Sequence, residues 1–304
     1  MGARVTNVAN KRVRGAWTLE KLAERVRKGY GQGSMSSYIP WIGVRDFSSI
    51  GTSTRMWSPK TGRMMEFLSN IERDTFLVAE FREDFVDYWE QWPLKRSHTL
   101  RAAKRLGYRH SIYFGGKIPL VMTVDGVLTT RGESRVHRKA IDCKHSKDLE
   151  NPRTLEKLSI TRTACHRVSL PHVLITEKAI SPQLVRSILW IRMALPKTGE
   201  IEPVPNAFEV WPMRLHKRLL ERPAHATVSN LCRAFDAEFE LPKGFALRCM
   251  KLLMWQHLVT MDMHTDRPER TLLTALTISQ PKTLLPLTVM QRLQTCLLNF
   301  RNRK

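Results

Sequence analysis

Hydrophobic and polar residues along this chain alternate with helical spacing in some segments and strand-like spacing in others. A helix is predicted from Ile71 to Phe81, since Ser69 followed three residues later by Glu72 is a capping-box arrangement. The elements predicted after it are strands at 85–94 and 118–124, a helix at 99–106 between them, a strand at 136–141, a helix at 151–167, a strand at 172–176 and a helix at 181–193. The order is therefore helix, three strands, helix, strand.

The remaining third of the chain has a different pattern. Helices are predicted at 211–220, 228–239 and 245–258, and the segments 259–263 and 271–277 can pair around a polar turn. Three helices and a hairpin predict a winged helix, which binds either a DNA duplex or a protein partner. The apolar stripe of the third helix, including Met250, Leu253, Met254 and Trp255, is typical of a core rather than of a ligand site.

Four segments follow from these patterns. Residues 1–36 form a basic arm that ends in a Gly- and Ser-rich loop, and residues 37–195 hold the α/β part. Residues 196–206 contain three prolines and read as an interdomain linker, which leaves 207–304 as the winged-helix domain.

The charge of the chain points to a polyanionic partner. Its 50 Lys and Arg residues against 28 Asp and Glu give a formal charge of +22, and the basic residues are spread along the whole length. That spread favours nucleic acid over a membrane surface, although a basic protein without such a partner stays open. No apolar run is long enough to span a bilayer and no secretory signal is evident, so a cytoplasmic protein is expected. Five cysteines without a Cys-x-x-Cys pair indicate neither a zinc site nor a disulfide framework.

Candidate chemistry lies at the ends of two predicted strands. Asp142-Cys143-Lys144 follows the strand at 136–141, and Asp125 closes the strand at 118–124. Because side chains alternate along a strand, Asp142 and Lys144 share one face, and a turn at 131–134 brings Asp125 beside Asp142. Two carboxylates and an ammonium are the groups that metal-dependent phosphodiester hydrolysis requires. An exposed strand-end ion pair is the alternative.

The element order supports the nuclease interpretation. An αβββαβ series with a mixed sheet is the core of metal-dependent restriction-endonuclease-like nucleases, with an acid-x-Lys tripeptide on the third strand and an acid on the first helix. Glu72 occupies that helix position here, although its role in the capping box is a structural alternative.

Motifs in a fixed order along most of the chain carry a resemblance to a known family. They are Lys28–Gly33 (KGYGQG), Tyr38–Trp41 (YIPW), Lys60–Arg63 (KTGR), Ser69–Glu72 (SNIE), Glu90–Leu94 (EQWPL), Thr123–Asp125 (TVD), Arg153–Leu158 (RTLEKL) and Thr176–Ile180 (TEKAI). With these motifs the chain resembles the TnsA family, the endonuclease subunits of heteromeric cut-and-paste transposases. The resemblance weakens after about residue 200.

The resemblance implies a function and a site. It implies hydrolysis of the 5′ strand of double-stranded DNA at transposon ends, with catalytic residues Glu72, Asp125, Asp142 and Lys144. We expect Glu72, Asp125 and Asp142 to hold Mg²⁺, with Mn²⁺ as a substitute, and Lys144 to position the attacking water. Some members of the family carry glutamine where this chain has Asp142, so an amide is tolerated there. Lys117, Lys147 and Arg153 are candidate phosphate contacts.

The resemblance also implies partners. These are a transposase of the Asp-Asp-Glu type (TnsB), which cuts and joins the 3′ strand, and an AAA+ regulator (TnsC), on which the C-terminal region docks. A stand-alone restriction or junction-resolving nuclease and a non-catalytic winged-helix DNA-binding factor are the alternatives. Target selection, by a fixed site or an RNA guide as in CRISPR-associated elements, is not encoded in these motifs.

Overall fold

The structure, a computed structural model, describes residues 17–46, 52–113, 116–197, 199–221 and 226–280. The described residues form two compact units. The first ends at Ala179, and the second begins at Ile180 and also takes in residues 81–83. The boundary between the units therefore precedes the linker predicted at 196–206. Residues 1–16 of the predicted arm lie outside the described residues.

The first unit is built around a mixed four-stranded sheet. Its elements are α1 (Leu19–Arg27), β1 (Thr54–Ser58), β2 (Arg63–Phe67), α2 (Asn70–Phe81), β3 (Phe85–Pro93), α3 (Arg96–Leu106), β4 (Thr123–Arg131), β5 (Val136–Cys143), α4 (Pro152–His166) and β6 (His172–Ile175). The strand order is β3-β4-β5-β6, with β5 and β6 parallel and the other neighbours antiparallel. The predicted α/β class and element order are confirmed, whereas the separate β1–β2 hairpin was not predicted.

The two faces of the sheet carry different helices. On β5, Ile141 and Cys143 belong to a buried cluster with Phe76 of α2, while Ala140 packs with Ala164 of α4 on the opposite face. This is the period-two alternation of a strand buried on both sides. Of the helices within the described residues, none is both long and apolar enough to cross a membrane.

The strand that carries Asp125 differs from the prediction. We expected Asp125 to close a strand at 118–124, but β4 begins at Thr123, so Asp125 lies near its start. Residues 111–113 instead bond to residues 118–120, since the Tyr113 N–H donates to the Ile118 carbonyl at 3.0 Å and the Leu120 N–H donates to the Ser111 carbonyl at 2.8 Å. Gly126 lets β4 pass Tyr88, because a Cβ at residue 126 would lie 2.0 Å from the Tyr88 hydroxyl.

The Gly- and Ser-rich segment after α1 packs against β3 instead of forming a free loop. Gly31 donates its N–H to the Ile39 carbonyl at 2.6 Å, and Trp41 donates to the carbonyl of Gln91 at 3.2 Å. Gly31 has a φ of 73°, and a Cβ there would lie 2.2 Å from Pro93 of β3, so glycine is required on both grounds. The helix α1 precedes this segment, and the Thr18 side chain caps its start.

The second unit is largely helical. It contains α5 (Pro182–Arg192), α6 (Val210–Leu220), α7 (Val228–Glu238), α8 (Phe245–Trp255) and a short antiparallel pair, β7 (Val259–Thr260) with β8 (Thr277–Ile278). The three predicted C-terminal helices are confirmed, and each pairing segment is shorter than predicted. No residue of α8 is exposed, and its Met250, Leu253, Met254 and Trp255 lie in the main core cluster. The predicted core role of that stripe is confirmed.

The segment predicted as a linker is fastened to α8. Arg248 donates to the carbonyl of Ala194 at 2.9 Å and to both carboxylate oxygens of Glu200, at 2.5 and 2.9 Å. The guanidinium also lies 4.6 Å from the centre of the Phe208 ring. Residues around the prolines therefore pack within the second unit, since one arginine engages the chain before, within and after them.

The Glu200–Arg248 pair predicts an acid-dependent loss of stability. The hydrogen bonds from Arg248 lower the pKa of Glu200 to about 2, against 4.5 for an ordinary glutamate. A depressed folded-state pKa stabilises the protein above pH 4.5, and this contribution is lost as pH falls towards 2. In urea denaturation, Glu200→Gln should be less stable than the wild type at pH 7, and the gap should narrow below pH 4.5. A gap that is absent at pH 7 would contradict the prediction.

Candidate active site

The register of β4 and β5 brings three of the predicted site residues together. Gly126 pairs with Ile141, so Asp125 lies beside Asp142, and the Asp125 N–H donates to Asp142 Oδ1 at 3.3 Å. Asp125 Oδ2 accepts from the Cys143 N–H at 2.7 Å and from Lys144 Nζ at 2.9 Å. The predicted contact between the two strand ends is therefore present, and Asp125 is its centre.

Glu72 reaches the same place from the first turn of α2. Its N–H donates to Ser69 Oγ at 3.3 Å, and its carboxylate accepts from Ser69 Oγ at 2.8 Å and from the Leu68 N–H at 3.1 Å. These bonds satisfy donors at the helix start, as the capping-box pattern predicts. The side chain is buried nonetheless, at 5% exposure. Glu72 thus both caps the helix and presents a carboxylate to the site.

Gln91 on β3 joins the two carboxylates. Its Nε2 donates to Glu72 Oε2 and to Asp125 Oδ1, each at 3.3 Å, while its Oε1 accepts from Thr123 Oγ1 at 3.0 Å. Gln91 has a φ of 47°, a left-handed conformation that costs a non-glycine residue about 1–2 kcal/mol. Its carbonyl accepts the Trp41 N–H at 3.2 Å, which helps to hold that conformation.

Burial and neighbouring charges shift the pKa values of Glu72 and Lys144. Burial, followed by the charge of Asp125, raises the pKa of Glu72 to about 7. Burial alone would lower the pKa of Lys144, yet the charges of Asp125 and Asp142 raise it above its ordinary value. Lys144 therefore stays an ammonium, whereas Glu72 is partly protonated near pH 7, and a bound cation would favour its ionised form.

Asp142 is more fully occupied than the sequence suggested. Its Oδ2 accepts a hydrogen bond from His172 Nε2 at 2.8 Å, and its Oδ1 accepts from the backbone of Asp125. Asp142 and His172 are both buried, with side-chain exposures of 5% and 6%. Burial raises the pKa of Asp142, and the bond from His172 opposes that shift. Both oxygens of Asp142 have partners, as do those of Glu72 and Asp125, so the expected contact of Asp142 with a metal stays a prediction.

The carboxylate oxygens of the site could bind a hard divalent cation through two side chains. Within the described part of the chain, no three His, Cys, Asp or Glu side chains form a metal-binding group. Glu72 and Asp125, however, share one amide donor and supply carboxylate oxygens. Mg²⁺ is commonly bound by one or two carboxylates, with water and substrate phosphate completing its shell. Two carboxylates are therefore a sufficient protein contribution, and a third is not required.

The three candidate phosphate contacts differ in availability. Lys117 and Lys147 are exposed, and neither has an ion pair among the described residues. Arg153, in the first turn of α4, pairs with Glu156 at 2.6 Å and also contacts Ser111. A phosphate would have to compete with Glu156 for Arg153, so the two lysines are the freer candidates.

Two residues of this site, Gln91 and His172, were not predicted from the sequence. Gln91 stands inside the motif Glu90–Leu94, but its spacing from Glu72 and Asp125 gives no sign of contact with either. His172 begins β6, and the parallel register that pairs Asp142 with Leu174 brings its ring to Asp142. The available signal was a polar residue within or at the start of a predicted strand, since buried polar groups need partners.

Comparison with known proteins places the chain in a defined context. The family model described as "TnsA-like endonuclease N terminal" matches residues 78–177, and the one described as "TnsA endonuclease C terminal" matches residues 212–263. The transposon Tn7 transposition protein TnsA of Escherichia coli is 30% identical over 233 residues, covering 77% of this chain and 82% of that protein. Asp125, Asp142 and Lys144 lie within the first match, and Glu72 lies just before it.

The position of Gln91 between two carboxylates predicts a strong effect of charge. Gln91→Glu replaces the shared donor with a third carboxylate and should lower the free energy of unfolding by about 2 kcal/mol or more. Gln91→Met is the matched control, because it removes the amide without adding charge and should cost less. Urea denaturation at pH 8 measures both. Equal stability of Gln91→Glu and the wild type would contradict this role for Gln91.

Proposed function

The chain belongs to the TnsA family of transposition endonucleases, and from that premise we propose that it hydrolyses the 5′ strand at transposon ends in a Mg²⁺-dependent reaction during cut-and-paste transposition. The observation that carries this proposal is the convergence of Glu72, Asp125 and Lys144 at the joined ends of β4 and β5. The same proposal places the reaction on cellular DNA, in the bacterial cytoplasm.

The finer fold assignment is part of this proposal. We propose that α2, β3, β4, β5, α4 and β6 form a restriction-endonuclease-like core. The support is their order along the chain, with the acid-x-Lys tripeptide spanning the end of β5 and an acid in the first turn of α2. A mixed sheet with a helix on each face suits this core, because the open ends of the strands remain available to a substrate.

Glu72 and Asp125 are the residues proposed to hold Mg²⁺, or Mn²⁺ in its place. A bound divalent cation would lower the pKa of a water and offset charge on the scissile phosphate. Lys144, 2.9 Å from Asp125, is placed to donate a hydrogen bond to the attacking water or to a phosphate oxygen. Gln91 keeps the two carboxylates adjacent, so neither side chain has to move into position when substrate binds.

Asp142 has a different proposed role. Because its oxygens bond His172 and the Asp125 backbone, we propose that it fixes the position of Asp125, in place of the third metal ligand that the sequence suggested. An asparagine could retain both bonds, since its oxygen accepts from the backbone and its amide donates to a neutral His172. The family's tolerance of an amide at this position agrees with that role.

The second unit is proposed to act mainly on a protein partner. If it is a winged helix, α8 is the helix that would enter a DNA groove, but α8 has no exposed residue. Only Leu247, Arg248 and Lys251 of α8 are partly exposed, and Arg248 is engaged by Glu200, so this helix has few side chains to present to base edges. This favours docking on the AAA+ regulator TnsC, while the Asp-Asp-Glu transposase TnsB would cut the 3′ strand beside this subunit.

Two alternatives lead to different observations. A stand-alone restriction or junction nuclease would cut unrelated duplex DNA without partner subunits. A non-catalytic DNA-binding factor would bind DNA without metal, and substitutions at Asp125 or Lys144 would leave its function unchanged. The buried carboxylate pair favours the catalytic proposal, since two adjacent buried acids destabilise a fold that has no use for them.

Matched amide substitutions test the assignment of roles. Asp125→Asn removes a proposed metal ligand and should abolish 5′-strand cleavage, by at least about 10³-fold. Asp142→Asn keeps its hydrogen bonds and should retain most of the activity. The assay is strand-resolved mapping of cuts at transposon ends in the presence of the partner subunits.

The same assay can overturn the proposal. Circular dichroism and duplex binding of both variants show whether folding and DNA affinity are preserved. Undiminished 5′ cleavage by a folded Asp125→Asn variant would refute the catalytic assignment. Equal loss in both variants would refute the distinction between the two aspartates.

Divalent cations should also stabilise the folded protein. A cation that binds only the native state raises stability by about 2.7 kcal/mol at 100 times its dissociation constant. Mg²⁺ or Mn²⁺ should therefore raise the Tm of the wild type and of Asp142→Asn, but not of Asp125→Asn. A rise of the same size in all three proteins would show that the cation binds elsewhere.

A further inference from the structure

A basic groove lies between α3 and α4, on the side of the sheet opposite α2. It consists of two adjoining hollows of about 810 and 250 Å³ that share Arg105, Thr163 and His166. The charged and titratable residues that line it are His98, Arg101, Arg105, Arg162, His166, Arg167 and His172. We refer to this feature as the α3–α4 groove.

The arginines of the α3–α4 groove lack acidic partners. Arg101, Arg105, Arg162 and Arg167 are all exposed, and none forms an ion pair among the described residues. The sequence of α3 contains no acid, and the one acid of α4, Glu156, is engaged by Arg153. The charges of the groove therefore repel one another without local compensation.

The local field is strong enough to act on a neighbouring histidine. Burial, then the charges of Arg167, Lys95 and Arg101, lowers the pKa of His98, which also lines the groove. A surface on which cations disfavour further protonation has a positive potential, and it attracts a polyanion. Guanidinium groups in addition match the geometry of phosphate oxygens.

The α3–α4 groove is connected to the candidate active site. His172 lines the larger hollow, and its Nε2 bonds Asp142, which in turn accepts a hydrogen bond from the backbone of Asp125. Only one side chain and one backbone group thus separate the wall of the groove from the carboxylate proposed to hold the metal. The groove therefore adjoins the candidate active site through His172 and Asp142.

We propose that the α3–α4 groove binds the phosphate backbone of the substrate DNA next to the cleavage site. The proposal rests on the proposed function, because DNA is the polyanion which that function supplies. Its phosphate contacts are distinct from those predicted at Lys117, Lys147 and Arg153. They give the first unit a DNA-binding surface of its own, independent of the second unit.

Salt dependence of DNA binding tests the proposal. The full chain binds a labelled transposon-end duplex with Ca²⁺ in place of Mg²⁺, and fluorescence anisotropy gives the affinity at several salt concentrations. Each lost phosphate contact lowers the slope of log K against log salt by about 0.9. Arg105→Ala/Arg162→Ala should therefore reduce the slope by about 1.8 and weaken binding, whereas Arg105→Lys/Arg162→Lys should keep the slope.

The control removes the same charge elsewhere on the first unit. Arg27 on α1 and Arg55 on β1 are exposed and lie outside the groove, and Arg27→Ala/Arg55→Ala should leave the slope nearly unchanged. Equal slopes and affinities for this control and Arg105→Ala/Arg162→Ala would overturn the proposal. If the first pair does not fold, Arg101→Ala/Arg167→Ala carries the same test.

The outcome is separable from that of the proposed function. If the wild type cleaves transposon ends but the groove variants bind like the control, only the groove proposal fails. If the groove variants show the reduced salt slope but the wild type makes no cut, the catalytic proposal fails while the groove is upheld as a DNA-binding surface.

Discussion

The repulsion between two buried carboxylates, Glu72 and Asp125, is the constraint on which the site depends. One glutamine amide offsets part of this repulsion by donating to both. That amide is available only because Gln91 adopts a left-handed conformation, which its carbonyl bond from Trp41 helps to hold. One arrangement of Glu72, Gln91 and Asp125 thus depends on three elements: the segment after α1, the strand β3 and the first turn of α2. A cation would stabilise that arrangement further, which is why the site favours metal-dependent chemistry.

The two faces of the sheet carry different parts of the site. On one face, α2 supplies Glu72 and a closely packed core that includes Cys143 and Phe76. On the other face, His172 holds Asp142, and the arginines of α3 and α4 form the basic groove. Because β4 and β5 connect these faces through hydrogen bonds of Asp125, the acidic and basic regions keep a fixed relation within the first unit. In the second unit no residue of α8 is exposed, and this is the basis of the proposal that the unit docks on a protein partner.

Local patterns predicted most of the fold and part of the site. Capping at Ser69, Asn151 and Ser181 marked the starts of three helices, and the turn before β5 set the register that joins Asp125 to Asp142. The strand start at Thr123 was missed because it depends on backbone bonds between residues 111–113 and 118–120. Gln91 and His172 were missed for a related reason, since their roles arise from contacts between elements that are far apart in the sequence. The contacts of the predicted linker with Arg248 could not be predicted, because that residue lies far along the chain.

The most direct test of the central claim is anomalous diffraction from crystals of the protein with Mn²⁺ and an uncleaved transposon-end duplex. We predict one or two Mn²⁺ ions bound by Glu72 and Asp125, with Gln91 adjacent and Asp142 still bonded to His172. A saturating Mn²⁺ concentration that gives no anomalous peak at Asp125 would contradict the account. A peak ligated by Asp142 after release of His172 would contradict the supporting role assigned to that residue.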